Sequence, residues 1–136
     1  MDTEQILDFV RENHRAVLAT SRADGGIQLS PVAAGTDAEG RVVVSSRETA
    51  MKTLNLARRP RAWLCVFTDG FFGKWVQVEG SVEIVSLPDA MDGLVEYYRS
   101  VSGEHPDCDE YRRAMTDERR VLLKMTVDRV GPTKSG

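Results

Sequence analysis

The sequence predicts a mainly β protein, a small and strongly curved antiparallel sheet or barrel with helices flanking it. Two observations carry the prediction. Short runs of strand-forming residues, about six of them, are separated by Gly, Asp and Pro turns in the manner of hairpins. Helix-patterned segments lie among them without the regular strand–helix–strand alternation of a parallel sheet. A third observation sets the scale: 136 residues, 41% of them hydrophobic, suit a single domain with its own core, here residues 1–136. The chain shows no internal repeat, linker or low-complexity tract.

The elements follow in order. Residues 3–13, TEQILDFVREN, set Ile6, Leu7, Phe9 and Val10 in a helical stripe, with Thr3 as the expected cap. RAVLATS (15–21) is a short strand, ADGG (23–26) a hairpin turn, and IQLSPVAAG (27–35) the returning strand. Pro31 has no N–H to donate, so that strand belongs at a sheet edge or a bulge. TDAEG (36–40) turns the chain and RVVVSS (41–46) is a third strand. Ser45 and Glu48 have capping-box spacing, and Ala50, Met51, Leu54 and Ala57 then recur at helical spacing until Pro60 stops the helix.

RAWLCVF (61–67) and KWVQVEGSVEIVS (74–86) flank the turn TDGFFG. The second of these strands sets Trp75, Gln77 and Glu79 on one face and Val76 and Val78 on the other, with Gly80 marking a bulge or bend. Cys65, inside an apolar strand, reads as a core residue. Pro88 opens a helix that runs to 102, GEHPD (103–107) breaks it with His105 fixing the turn, and a shorter helix leads into the last strand, RVLLKMTVDRV (120–130).

Composition excludes several functions. A net charge of −3 argues against a general nucleic-acid binder. No run approaches the roughly 18 apolar residues of a membrane span, and the acidic, amphipathic start is no signal peptide. Two cysteines, Cys65 and Cys108, make no disulfide framework, so a cytoplasmic protein with reduced thiols is expected. The two histidines, His14 and His105, stand in no metal-ligand pattern, so no metal site is expected. There is no nucleophile elbow, P-loop or dinucleotide fingerprint. With no side-chain nucleophile or metal to carry a reaction, an enzyme built from this chain needs an organic cofactor.

One stretch stands out. SSRETAMKTLNLARRPR (45–61) holds Arg47, Lys52, Arg58, Arg59 and Arg61 against the single acid Glu48, on a chain that is acidic as a whole. A helix start with free N–H groups is a natural anion seat, and Lys52 and Asn55 share a helix face three residues apart. For Arg58, Arg59 and Arg61 a solvated surface is the simpler reading.

The order of these pieces resembles the pyridoxamine-phosphate-oxidase-like split β-barrel family, and within it the actinobacterial branch that uses coenzyme F-420, an 8-hydroxy-5-deazaflavin. VLATSRADGGIQLSPV (17–32) resembles the opening hairpin of that branch, and MKTLNL (51–56) its K-T-x-N-L segment. SGEHPDCDEYRRAMTDERRVLLKM (102–125) is similar to its closing region and is the most specific of the three. The resemblance implies a six-stranded split barrel and a homodimer with a cofactor cleft between protomers. It implies that Gln28, Leu29, Ser30 and Pro31 border the deazaflavin ring, that Ser45 and Ser46 face the ring or its side chain, that Lys52 and Asn55 hold the phosphate, and that Trp75 contacts the ring. Ala50 stands where close relatives often carry an arginine, so either Arg47 compensates from the preceding turn or the phosphate is held less tightly.

The implied activity is transfer of a hydride from reduced F-420 to an electron-poor double bond of a small organic substrate. An FMN-binding protein or oxidase of the same fold is the alternative, and a non-catalytic cofactor-binding dimer the third reading. No catalytic side chain is assigned from the sequence.

Overall fold

The computed structural model describes residues 2–135. Helix α1 (Thr3–Glu12) is capped one residue earlier than expected. Asp2 accepts from the Gln5 N–H while the Gln5 side chain accepts from the Asp2 N–H, a complete capping box, so Thr3 is the first helical residue and not the cap. The apolar stripe of α1 is buried, with Ile6 and Val10 fully inside.

Seven strands form one antiparallel sheet: β1 (Arg15–Ser21), β2 (Ile27–Ala33), β3 (Gly35–Thr36), β4 (Val42–Arg47), β5 (Arg61–Phe67), β6 (Lys74–Val85) and β7 (Arg120–Ser135). They lie in the order β2-β1-β5-β6-β7-β4-β3. The seventh strand is the two-residue β3, which the sequence reading merged into the end of β2 and the turn after it. At Ala34 the chain leaves one edge of the sheet and pairs Gly35 and Thr36 with Val43 and Val42 at the other edge. The crossing is tight: a Cβ on Gly35 would lie 2.7 Å from Ser100 Oγ and 3.2 Å from Val101 Cγ2 of α3. The sheet is thereby curled into a barrel that stays split between β2 and β4.

Within β6 the register shifts between Glu79 and Gly80, as the glycine suggested. A Cβ at Gly80 would come within 2.0 Å of the Thr126 carbonyl oxygen of β7. The last strand is longer than expected because its backbone pairs with β6 as far as Ser135.

Helix α2 (Met51–Arg58) caps the open end of the curl, burying Leu56 against the inner-face core of Leu18, Val42, Leu64, Val76 and Leu123. Its predicted capping box does not form. Strand β4 runs on to Arg47, Ala50 takes the N-cap position, and no side chain caps the helix. Helix α3 (Met91–Ser102) starts after the turn that holds Pro88, and α4 (Cys108–Asp117) begins behind its cap Asp107. The two helices pack Leu94, Tyr111 and Met115 over Val43 and Leu122 on the other face of the sheet. The Tyr111 hydroxyl donates to the Leu94 carbonyl at 2.8 Å. His105 fixes the turn between these helices: its Nδ1 accepts from the Asp107 N–H at 2.9 Å, and its ring packs against Tyr98 and Tyr111.

Across β1, β5 and β6 alternate residues enter the core and the others face outward. Cys65 is on the outward face, half-buried beside Val17 and Gln77, so the core placement inferred from its apolar strand is corrected. A period-2 strand has two faces, and an apolar run does not say which of them is inside.

Candidate functional site

Of the residues predicted for the site, Gln28, Leu29, Ser30 and Pro31 lie on β2 and Ser45 and Ser46 on β4, the strands flanking the split. β2 is an edge strand. Its even residues bond to β1: the Ala34 N–H donates to the His14 carbonyl at 2.8 Å, and the Gly26 carbonyl accepts from the Arg22 N–H. By the alternation of an antiparallel ladder, the N–H and C=O groups of Ile27 and Leu29, and the carbonyls of Pro31 and Ala33, point away from the sheet. Pro31 lacks an N–H at a place where none is used, which is why a proline is tolerated there.

The four residues predicted to border a ring divide between two faces. Gln28 and Ser30 turn inward, whereas Leu29, 67% exposed, and Pro31 turn outward beside Ala19 and Val17. Gln28 Nε2 donates to Ser30 Oγ at 3.3 Å. Asn55 is wholly buried: its amide donates to Thr20 Oγ1 at 3.1 Å and Gln28 Oε1 at 2.9 Å, and its Oδ1 accepts from Arg58 at 3.3 Å. Asn55 therefore ties α2 to β1 and β2 and presents no free donor to a ligand. Arg58 also donates to the Ser21 carbonyl at 2.9 Å, and Arg61 is committed to Glu79 and Asp128 through paired hydrogen bonds.

On the β4 side, Ser46 is fully buried, with its hydroxyl 2.7 Å from that of Thr53, which donates in turn to the Arg47 carbonyl. Ser46 fastens α2 to β4 and faces the interior. Ser45 is half-buried, and the hydroxyl of Tyr97 donates to the Ala33 carbonyl at 2.7 Å. Tyr97, absent from the sequence-level candidates, thus ties α3 to the end of β2. Burial raises its hydroxyl above the usual phenol range, with the Ser45 N–H and Arg120 pulling the other way. No spacing rule could have found it, since Ala33 and Tyr97 are far apart in the chain.

Lys52 stands in the first turn of α2, half-buried. Burial and then the neighbouring Arg120 lower its pKa, and no carboxylate of the described residues offsets them. Arg120 is a second residue the sequence reading missed. It sits in β7 opposite Arg47, and its guanidinium reaches Glu118 at 2.9–3.0 Å. Arg47 reaches the same carboxylate at 3.4 Å. Glu118 thus faces two arginines, and Lys52 stands beside Arg120 at an uncapped helix start, a local excess of positive charge on an acidic chain. Such a place suits an anion with several oxygens.

Trp75 is on the outward face, paired with Phe67 across β5–β6 and on the other side of the sheet from Lys52. Within one chain the two residues do not converge. Among the described residues no group of three or more His, Cys, Asp or Glu side chains is placed to hold a metal, and no helix is long and apolar enough to cross a membrane.

The fold has relatives among solved structures. A conserved hypothetical protein, Rv2991 from Mycobacterium tuberculosis, superposes with a TM-score of 0.81 at 25% identity, over 99% of this chain and 85% of its own. An F-420 reductase superposes with a TM-score of 0.71 at 19% identity, over 91% and 94%. A heme binding protein from Mycobacterium smegmatis gives 0.73 at 18% identity, over 98% of this chain and 57% of its own. At such identities the last two likenesses speak for the shared fold. The family profile described as pyridoxamine 5'-phosphate oxidase matches residues 2–134. A match along that length, on a curled antiparallel sheet flanked by helices, means that this chain belongs to the pyridoxamine 5'-phosphate oxidase family.

Proposed function

We propose that the protein is a coenzyme F-420-dependent reductase acting on an electron-poor double bond of a small organic molecule. The observation that carries the reading is Lys52: a half-buried lysine without a counter-ion, beside Arg120, at an uncapped helix start. That is the donor set a phosphodiester or phosphate needs. In this reading Lys52, Arg120 and the first N–H groups of α2 hold the phosphate, with Arg47 at its margin, where Ala50 offers nothing. Asn55 keeps Gln28 and α2 in place and does not touch the ligand.

The outward backbone groups of Leu29 and Pro31 supply hydrogen-bonding partners for the polar edge of a flat heterocycle, and Ser45 borders it from β4. Bound there, a reduced deazaflavin supplies a hydride. The chain's share of the work is to fix the ring against the β2 edge, to place the substrate next to it and to keep water out. The choice of a deazaflavin over FMN rests on the similarity of residues 102–125 to that branch and on the fold shared with an F-420 reductase.

A homodimer completes the reading. The outward face carries exposed Ile27 and Leu29 and half-buried Trp63, Cys65, Phe67 and Trp75, apolar side chains that a second copy could cover. Two copies joined on it bring the partner's Trp75 toward the cleft that its own chain keeps it from. The test is anaerobic mixing of the protein with reduced F-420 and a panel of unsaturated ketones and lactones, following the return of the oxidised chromophore. Turnover that requires both protein and enone supports the proposal, and its absence across the panel, with FMN bound instead, overturns it.

A further inference from the structure

The site described so far has a seat for an anion and an edge for a ring, but no group that handles a proton. A separate cavity of about 550 Å³ opens at the far end of the same edge, walled by Pro31, Val32, Ala33, Val101 and His14. Its volume is within the range of small-molecule sites. Pro31 belongs to both places, so a ring lying along Leu29 and Pro31 borders the cavity directly. It is an open groove, lined also by Glu12, Arg15 and Asp69.

His14 is held in one orientation. Its Nδ1 lies 2.8 Å from the Ala34 carbonyl, which can only accept, so Nδ1 carries a hydrogen. The backbone N–H of Ala34 returns a bond to the His14 carbonyl. The other ring nitrogen, Nε2, has no hydrogen-bond partner among the described residues. A proton there keeps the Ala34 contact and makes Nε2 a donor beside the cavity.

Resting on the reductase reading, the geometry points to this cavity as the substrate site and to the His14 imidazolium as the proton donor. The substrate class is an α,β-unsaturated carbonyl compound with an apolar body. Its β-carbon receives a hydride, the C=C π pair moves toward the carbonyl oxygen as an enolate, and a C–H bond forms at the α-carbon with the proton from Nε2. The Nε2–H bond breaks, neutral imidazole remains with Nδ1–H on Ala34, and solvent returns the proton. The two electrons come from the reduced deazaflavin.

The test uses the full-length protein and cyclohex-2-enone. In the cofactor-free protein, cyclohexenone is expected to shift the imidazole NMR signals of His14 and to leave those of His105, which is packed among Tyr98 and Tyr111, unmoved. With reduced F-420, H14N, whose amide can keep the donation to Ala34, should bind cofactor as the wild type does and reduce enone about 100-fold more slowly or worse. Any decline of the wild-type rate toward high pH should be absent in H14N. Glu12, Arg15 and Asp69, the latter two paired at 3.0 Å, are the other charged groups at the cavity, and a pH limb inherited from them would survive in H14N. Unmoved His14 signals, or a wild-type rate and pH profile in H14N, overturn the inference. If His14 responds to enone but no cofactor drives turnover, the substrate cavity stands while the reductase reading and the proton role fall together.

Discussion

Replacing Lys52 by methionine separates the needs of an anion site from those of folding. In the folded protein the lysine is half-buried, burial and Arg120 both lower its pKa from 10.5, and no acid compensates. A methionine of similar length keeps the packing and removes the charge. Phosphate binding should lose one charge-assisted hydrogen bond, about 1.5–3 kcal/mol, or roughly a 10- to 150-fold rise in Kd. Stability should move the opposite way. Because the folded pKa lies below the unfolded one, the unfolded chain binds more protons between the two values, and stability climbs with pH through that window. At neutral pH the charged lysine is therefore a burden in the unliganded protein, and K52M should melt at a higher temperature. Quenching of Trp63 and Trp75 fluorescence gives the Kd, and a thermal melt without ligand gives the second number. An unchanged Kd takes Lys52 out of the site. A lowered melting temperature would show that the charge is satisfied by a partner and refute the reasoning.

Three further outcomes are expected. Tyr97→Phe leaves the Ala33 carbonyl without its hydroxyl partner and should cost about 1 kcal/mol in denaturant titration; unchanged stability would mean that Tyr97 does not hold α3 to β2. Burial pushes the Tyr111 hydroxyl up to about 12, so the folded protein holds this proton after the unfolded chain has lost it. Stability from this group is then full below the ordinary value of 10.0 and is lost as pH rises toward 12, a loss that Tyr111→Phe should remove from alkaline melting curves. Leu29→Asp places a charge in the exposed apolar face and should convert a dimer to a monomer in light scattering, whereas a monomeric wild type would withdraw the homodimer.

Much of the fold was legible because its signals are local. The limits of β1 and β5 follow from short apolar runs between turn residues, and Pro31 confined β2 to a sheet edge or an irregular place in the ladder before any pairing was known. The elements that were misread depend on tertiary contacts. Ser45 and Glu48 have the spacing of a capping box, yet β4 pairing with β7 holds Ser45 in a strand, and the helix begins at Met51. Gly35 reads as the end of a strand, and only the approach of α3 explains why it begins a new one.

The candidate site divides in the same way. Lys52 was visible as a basic residue at a helix start. Asn55 shares its helical face in the sequence pattern but is drawn inward by Thr20 and Gln28, partners more than 25 residues away. Arg120, Tyr97 and His14 acquire their significance from neighbours across the barrel, and no motif announces them.

The most direct test of a deazaflavin site in this cleft is a pair of calorimetric titrations of the same wild-type preparation, one with F-420 and one with FMN. The proposed function predicts saturable binding of F-420, at least tenfold tighter than FMN, and weakened by Lys52→Met. Tighter binding of FMN, or F-420 binding that Lys52→Met leaves untouched, would contradict it.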